Sequence, residues 1–292
     1  MGRFQDHSLT VPDQLESTHL DQFMAENLML SKQRIRRAIH EGGVYINRKR
    51  CRHIGQIVHG GEVVRLVMLD DEQLTPFSET QLLWSSPPFY LIHKQSGQYA
   101  QEALHRSHGT LPDELAHYLK LSGKEAALLR PVHRLDRGTS GLMLFCSEPK
   151  MLDQIQKLWQ THVKKSYLAV VEPAPEWDME RIRVPIGNRR DSRGCYHVDS
   201  SGRACDSEAE VIERRDGRAL IRLIPHTGRT HQLRIHLSHL GCPILGDGRY
   251  GGKKHQRLML HAHTLHVQPP ALGKNQMQEQ QWIAEPEENW QW

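Results

Sequence analysis

Apolar residues recur at helical spacing at Leu20, Phe23, Met24 and Leu28, and again at Ile35, Ala38 and Ile39, with Ser31 placed between the runs to cap a second helix. On that helix Lys32, Arg36 and Arg37 are left to face outward. Gly42-Gly43 ends it, Val44-Tyr45-Ile46 reads as a short strand turning at Asn47-Arg48, and Gly60-Gly61-Glu62 turns into the strand Val63-Val64-Arg65-Leu66. Residues 68–88, punctuated by Asp70, Asp71, Pro76, Pro87 and Pro88, read as loop.

From residue 89 the pattern is richer in strands. Phe89-Tyr90-Leu91-Ile92-His93-Lys94 is one strand, and Gly138-Thr139-Ser140-Gly141 is a tight turn before a buried strand, Leu142-Met143-Leu144-Phe145. Leu152, Ile155 and Leu158 carry helical spacing between Lys150 and His162, and strands are expected at 164–171, 211–213 and 219–224. Residues 186–204, with Gly187, Arg189, Arg190, Ser192, Arg193, Gly194 and Gly202, form a basic connection of a kind that can lie along a phosphate backbone. Strand and turn signals with few helices predict an α+β class: a mixed, mostly antiparallel sheet with flanking helices, preceded by a small N-terminal α/β unit. At 292 residues the chain exceeds one typical domain. The expected divisions are 11–70, a linker at 71–88, a main domain at 89–275 and a tail at 276–292. That tail carries Glu279, Glu285, Glu287 and Glu288, with Trp282, Trp290 and Trp292, and has no Lys or Arg.

Charge adds direction to this picture. The net charge of +4 is modest, yet eight basic residues stand between Lys32 and Arg52 against one acid, Glu41. Such an imbalance on a folded element favours phosphate contacts over a merely solvated face, and Lys32, Arg36, Arg37 and Arg48 are the candidates. No window approaches the roughly 20 apolar residues of a membrane span, and the first residues lack a signal-peptide core, so no membrane role and a cytoplasmic location are expected. Five scattered cysteines without a Cys-x-x-Cys pair argue for free thiols rather than disulfides or a zinc site. Twenty histidines invite a metal reading, above all at His226, His231, His236, His239, His261, His263 and His266, but no His-Glu-x-x-His pair is present and no metal is expected.

The candidate chemistry centres on Asp136, in Pro131-Val132-His133-Arg134-Leu135-Asp136-Arg137-Gly138-Thr139-Ser140-Gly141. Arg130, Arg134 and Arg137 surround it in sequence, and one guanidinium within about 4–6 Å lowers a carboxyl pKa. A carboxylate so held is a nucleophile or an ion-pair partner, and a weak base at neutral pH. Arg134, two residues before Asp136, falls on the same side of an extended segment. Taken alone, Asp136 reads first as a structural salt bridge in a loop.

His-Arg-Leu-Asp-x-x-Thr-Ser-Gly-Leu at 133–142 and Gly-Arg-Thr-His-Gln-Leu-Arg at 228–234 resemble the two hallmark motifs of the RluA family of pseudouridine synthases, and Lys165-Ser166-Tyr167-x-Ala169 resembles a third. The order helix, helix, Gly-x-Val-x-Ile-Asn at residues 18–67 resembles the RNA-binding domain first described in ribosomal protein S4. The resemblance implies an RNA uridine isomerase without cofactor, with Asp136, Tyr167 and Arg234 catalytic, Arg234 forking onto Asp136, and Arg134, Arg137, Arg229, His231 and Gln232 on the RNA. It also implies that Leu258, Met259 and Leu260 pack under the base. Ribosomal RNA is the first expected substrate, transfer RNA the second, and a monomer the simplest state. A noncatalytic RNA-binding or ribosome-assembly factor and a metal-dependent RNA hydrolase are the alternatives. The coexistence of Asp136, Tyr167 and Arg234 favours the isomerase.

Overall fold

The computed structural model describes residues 4–69, 74–191, 194–272, 278–287 and 290–292. Asp70, Asp71, Ser192, Arg193 and Glu288, which entered the expectations above, lie outside them. The chain divides into two compact units, Met1–Pro76 with Gln101–Leu115, and Phe77–Ala100 with Ala116–Trp292.

The first unit contains β1 (Phe4–Thr10), β2 (Ser17–His19), α1 (Leu20–Leu28), α2 (Lys32–Glu41), β3 (Val44–Ile46), β4 (Lys49–Arg50), β5 (Ile57–His59) and β6 (Val63–Leu69). Four strands form an antiparallel sheet in the order β1-β6-β3-β4, and β2 pairs with β5. Ser31 caps α2 by accepting the Arg34 N–H at 3.3 Å, and Gly42 closes it in the left-handed region at φ 88°. The predicted stripe is the core: Leu20, Phe23, Met24, Ile35, Ala38 and Ile39 are buried against Val44, Val64 and Leu66. The residue before the expected 11–70 boundary is not a break, because β1 pairs along β6 from Phe4↔Leu69 to Thr10↔Val63.

The second unit contains β7 (Leu82–Ser86), β8 (Phe89–Lys94), α4 (Gly123–Leu128), β9 (Arg130–Pro131), β10 (Ser140–Cys146), α5 (Pro149–His162), β11 (Val163–Val171), β12 (Met179–Ile182), β13 (Ser207–Arg215), β14 (Arg218–Pro225), α6 (Gln232–His239), β15 (Leu260–Val267) and β16 (Gln280–Ile283). The division between units falls within α3 (Leu111–Tyr118). Ten strands form one sheet, β12-β13-β14-β11-β15-β10-β8-β7, with β9 on β10 and β16 on β15. Its pairs are antiparallel except β10 with β15. The mixed, mostly antiparallel sheet is therefore the one the pattern predicts.

Two stretches read as loop or tail carry strands. Leu82–Ser86 pairs with β8 inside the expected linker, and Gln280–Ile283 pairs with β15 inside the expected tail. Both are short additions to the sheet, of five and four residues. Gly141, at φ 112°, makes the parallel pair possible, since a Cβ there would stand 2.2 Å from the Ala262 carbonyl oxygen.

The β3–β4 hairpin turns at Asn47 and Arg48, which sit at φ 47° and 68°. That is the doubly left-handed two-residue turn that suits strand twist, and a Cβ at Arg48 makes it costly. Arg48→Gly is expected to raise stability by up to about 1 kcal/mol in urea unfolding, and a loss of stability would contradict the turn.

Candidate active site

Asp136 lies in the loop between β9 and β10, and the loop is fixed through its backbone. The Asp136 carbonyl accepts the Thr139 N–H at 3.0 Å, and the fully buried Lys94 amine donates to the carbonyls of Arg137 (2.9 Å) and Thr139 (2.7 Å) as well as Gln95 (3.0 Å). Gly97 N–H and Ser96 Oγ bind the carbonyls of Arg137 and Gly138. Burial pushes the Lys94 amine down to about 7, while the nearby Asp136 carboxylate opposes that shift. Lys94 thus ties the backbone at residues 95, 137 and 139 together through one buried donor.

The facing wall is the turn into α6, where His231 occupies the left-handed region at φ 58°. Arg234 donates from Nη1 to Asp136 Oδ2 at 2.9 Å, and from Nε and Nη2 to Asp247 at 2.7 and 2.8 Å. The expected fork of Arg234 therefore closes on Asp247, whose side chain is 1% exposed, and Asp136 takes the remaining arm. The cause is geometric: the glycine-flanked turn at Asp247 meets the edge of the guanidinium that carries two parallel N–H groups. Sequence reading missed Asp247, for which Gly246-Asp247-Gly248 was the available signal.

Burial acts to raise the Asp136 pKa; the His231 ring, Arg234 and Arg134 together outweigh it, so the carboxyl lies below its ordinary value. His231 is pushed down to about 4 by burial, so it is neutral near pH 7 and the guanidinium supplies the adjacent charge. Tyr250 OH accepts from Tyr196 N–H at 3.3 Å and lies 2.6 Å from His231 Nδ1, so its proton is directed at Nδ1. The neutral ring then presents Nε2–H toward Asp136 Oδ2, 3.7 Å away. Tyr250 is a second residue that sequence reading missed.

A cavity of about 280 Å³ opens over Asp136, lined by Arg134, Tyr167, Arg229, His231, Arg234 and Leu260 among others. Lys165 and Tyr167, two apart on β11, both reach it, and the register slips between Ser166 and Tyr167 so that Tyr167 faces Ala262. Burial, and secondarily the Asp136 charge, raise the Tyr167 pKa, so the phenol keeps its proton. Leu260 lines the cavity, while Leu258 packs beside Gly138.

Other expected site residues stand differently. Arg137 donates to the Gly97 carbonyl at 3.1 Å and covers the Tyr99 ring, and Arg130 bonds the Leu129 carbonyl, while the guanidinium groups that lower the Asp136 pKa are those of Arg234 and Arg134. Gln232, 4% exposed, is occupied within the fold: its Oε1 accepts from Thr227 and Arg229, and its Nε2 donates to Asp206 and Ser207. It shapes the turn that presents Arg229. In the first unit Arg36 pairs with buried Asp21 at 2.6 Å, Arg37 with Glu41 at 2.9 Å, and Arg50 with Glu102 at 3.6 Å. The eight-to-one imbalance is thus softened by acids brought in from elsewhere in the chain, while Lys32, Arg36, Arg37 and Arg48 stay exposed.

The tail reaches the same loop from behind. Arg257 pairs with Glu287 and donates to Ser140 Oγ; Ser140 Oγ lies 2.8 Å from His261 Nδ1, and His261 Nε2 lies 2.7 Å from the Ala284 carbonyl. With Arg257 donating to the hydroxyl, the hydroxyl proton goes to Nδ1 and Nε2–H goes to Ala284. Two of the histidines considered as metal ligands are in this way built into hydrogen-bond chains, His261 here and His231 beside Asp136.

The family model for RNA pseudouridylate synthase matches residues 88–239, and that for the S4 domain matches residues 19–64. This chain belongs to the RNA pseudouridylate synthase family. It is of the RluA type, with an N-terminal S4 domain. It is 28% identical over 301 residues to the ribosomal large subunit pseudouridine synthase C of Haemophilus ducreyi, covering 95% of this chain and 91% of that one. The protein of the same name from Escherichia coli K12 is 28% identical over 280 residues, with 87% and 86% covered. An uncharacterized RNA pseudouridine synthase of Zymomonas mobilis is 39% identical over 143 residues, 47% of this chain and 65% of that relative. The solved structure of human RNA pseudouridylate synthase domain containing 1 shares the fold, with a TM-score of 0.59, 24% identity, and 73% of this chain and 86% of that one covered.

Asp247→Asn should leave Arg234 with one full partner and cost about 3 kcal/mol of stability. The same variant should lower kcat more than it raises KM, because Asp136 loses its orientation; unchanged stability and kcat would refute the shared guanidinium.

Proposed function

We propose that this synthase converts uridines of RNA, first of all large-subunit ribosomal RNA, to pseudouridine, with Asp136 as the nucleophile and the target base turned out of its stack into the cavity over it. The observation that carries this is an ionised carboxylate held by Arg234 at 2.9 Å on the floor of a cavity that also presents Tyr167. The reaction breaks the bond from N1 to C1′ and forms one from C5 to C1′; the proton on C5 leaves and N1 gains one. No net oxidation occurs, so no redox cofactor or metal is called for.

A carboxylate with a lowered pKa is ionised and ready to attack C1′ or C6. Once it does, its charge is neutralised, and one of the two causes that keep the Tyr167 phenol protonated disappears. Tyr167 is then the group best placed to move a proton late in the reaction. Arg134 and Arg229, exposed at the rim, fit backbone phosphates and the space left by the displaced base. Turning the base out costs a few kcal/mol and least in a loop or bulge, which makes unpaired segments the natural targets. Lys32, Arg37 and Arg48 of the first unit add affinity through phosphates, since such contacts position more than they specify. The working location is the cytoplasm and the working state a monomer.

Incubation with cellular RNA followed by pseudouridine mapping should show new sites in large-subunit ribosomal RNA, and Asp136→Asn should abolish them, with kcat down about 10⁴-fold. Turnover surviving that change would sink the nucleophile. Because Asp136 lies below its ordinary value and His231 and His133 are pushed down to about 4 and 3, kcat/KM should be flat between about pH 5 and 6.5. An acid limb near 6 would show an imidazole working in its charged form. Replacing Lys32, Arg37 and Arg48 together by Ala should reduce the slope of log affinity against log salt by about 2–3, whereas Arg36 is spared because its loss strands buried Asp21.

A further inference from the structure

A second cavity, of about 410 Å³, adjoins the first and shares Trp159, Gln160, Lys165 and Pro225 with it. We propose that this cavity receives the nucleotide next to the target uridine in the same RNA strand, with the phosphodiester between the two bound by Lys165. The inference rests on the uridine assignment made above for the first cavity.

The partition between the cavities is built from packed rings. Trp159 is buried at 9% exposure, its ring stacks on His133 at 4.7 Å and 28°, and the Lys165 amine lies 5.8 Å from its centroid. Leu144 N–H donates to His133 Nε2 at 3.2 Å, which ties the stack to β10. Lys165 lines both cavities, and strand alternation places it on the same face as Tyr167, roughly 7 Å along β11. A pyrimidine lying against Tyr167 would have its own phosphate within reach of that amine.

The chemistry of the lining fits an anion flanked by a base. Among the described residues the lining of the second cavity holds Lys164 and Lys165 and contains no Asp or Glu. Lys165 has no carboxylate ion pair among the described residues, and burial pushes its amine down to about 8, so it still carries its charge at neutral pH and is left without an anion. Ile224, Pro225 and Val163 supply an apolar wall, while Thr264 and Gln281 offer hydrogen-bonding groups at the edge. His226 and His266 are each met by a carboxylate, Glu208 and Glu279, neither of which lines the cavity. A flat ring with polar edges suits such a wall; a divalent cation or an acidic peptide does not.

The dinucleotide UpU, uridine 3′- and 5′-monophosphate and uridine serve as probes, with affinities measured up to about 10 mM by tryptophan fluorescence and NMR shifts. UpU should bind at least tenfold tighter than either monophosphate. Gln281→Trp, which fills the second cavity from an exposed position, should erase that increment and leave monophosphate affinity within twofold; Thr264→Phe is the second filling variant. Lys165→Met should weaken the better-bound monophosphate and UpU about tenfold while leaving uridine unchanged, and that monophosphate shows which neighbour the cavity takes. Equal binding of UpU and the monophosphates by the unaltered protein, or an increment that survives both filling variants, overturns the second subsite alone. Failure of both monophosphates and uridine to bind overturns the uridine reading and this inference with it.

Discussion

One guanidinium shared by two carboxylates organises this site. Arg234 spends two N–H groups on buried Asp247 and one on Asp136, so its own position is settled before any substrate arrives. A buried charge is tolerated only when paired, and this one is paired twice. Two acids against one base leave a residual negative charge, which sits on the more exposed partner, Asp136, at 21% against 1% for Asp247. The arrangement keeps Asp136 ionised without neutralising it, the condition a nucleophile needs.

That condition depends on the loop staying where Arg234 can reach it. Lys94, Ser96 and Gly97 hold the carbonyls of residues 137–139 from one side, and Ser140, Arg257, His261 and the segment through Glu287 hold its end from the other. Each of these contacts joins residues far apart in sequence. The rigidity of the site therefore belongs to the sheet, and in particular to the close parallel approach of β10 and β15 that Gly141 allows. His231 fits the same scheme, as a neutral ring oriented by Tyr250 rather than a charged partner of Asp136.

The first unit shows how tertiary contacts revise a charge pattern. Its basic residues other than Arg50 are exposed, but several are matched to acids that the count between Lys32 and Arg52 omitted, Asp21 from α1 and Glu102 from the segment 101–115. An exposed ion pair is worth at most about 1 kcal/mol, so a phosphate can displace it at small cost. Arg36 is held more firmly because its partner is buried, and Arg50 because its own guanidinium is largely buried and bonds the Gly42 and Ala103 carbonyls.

The sequence by itself determined the helix pair with its cap and stop, the central strands and the class of sheet, and its resemblance to a family named the three groups that meet at the cavity. Those features are local: periodicity, capping and a run of motif residues are complete within about 15 positions. Only the tertiary structure decided that Arg234 forks onto Asp247, that Arg137 and Gln232 serve the backbone, that Tyr250 orients His231, and that short strands at Leu82–Ser86 and Gln280–Ile283 complete the sheet. A hydrogen bond is chosen by which donors and acceptors arrive together in space, and a chain whose partners stand 13 to 98 residues apart does not carry that choice in its local pattern.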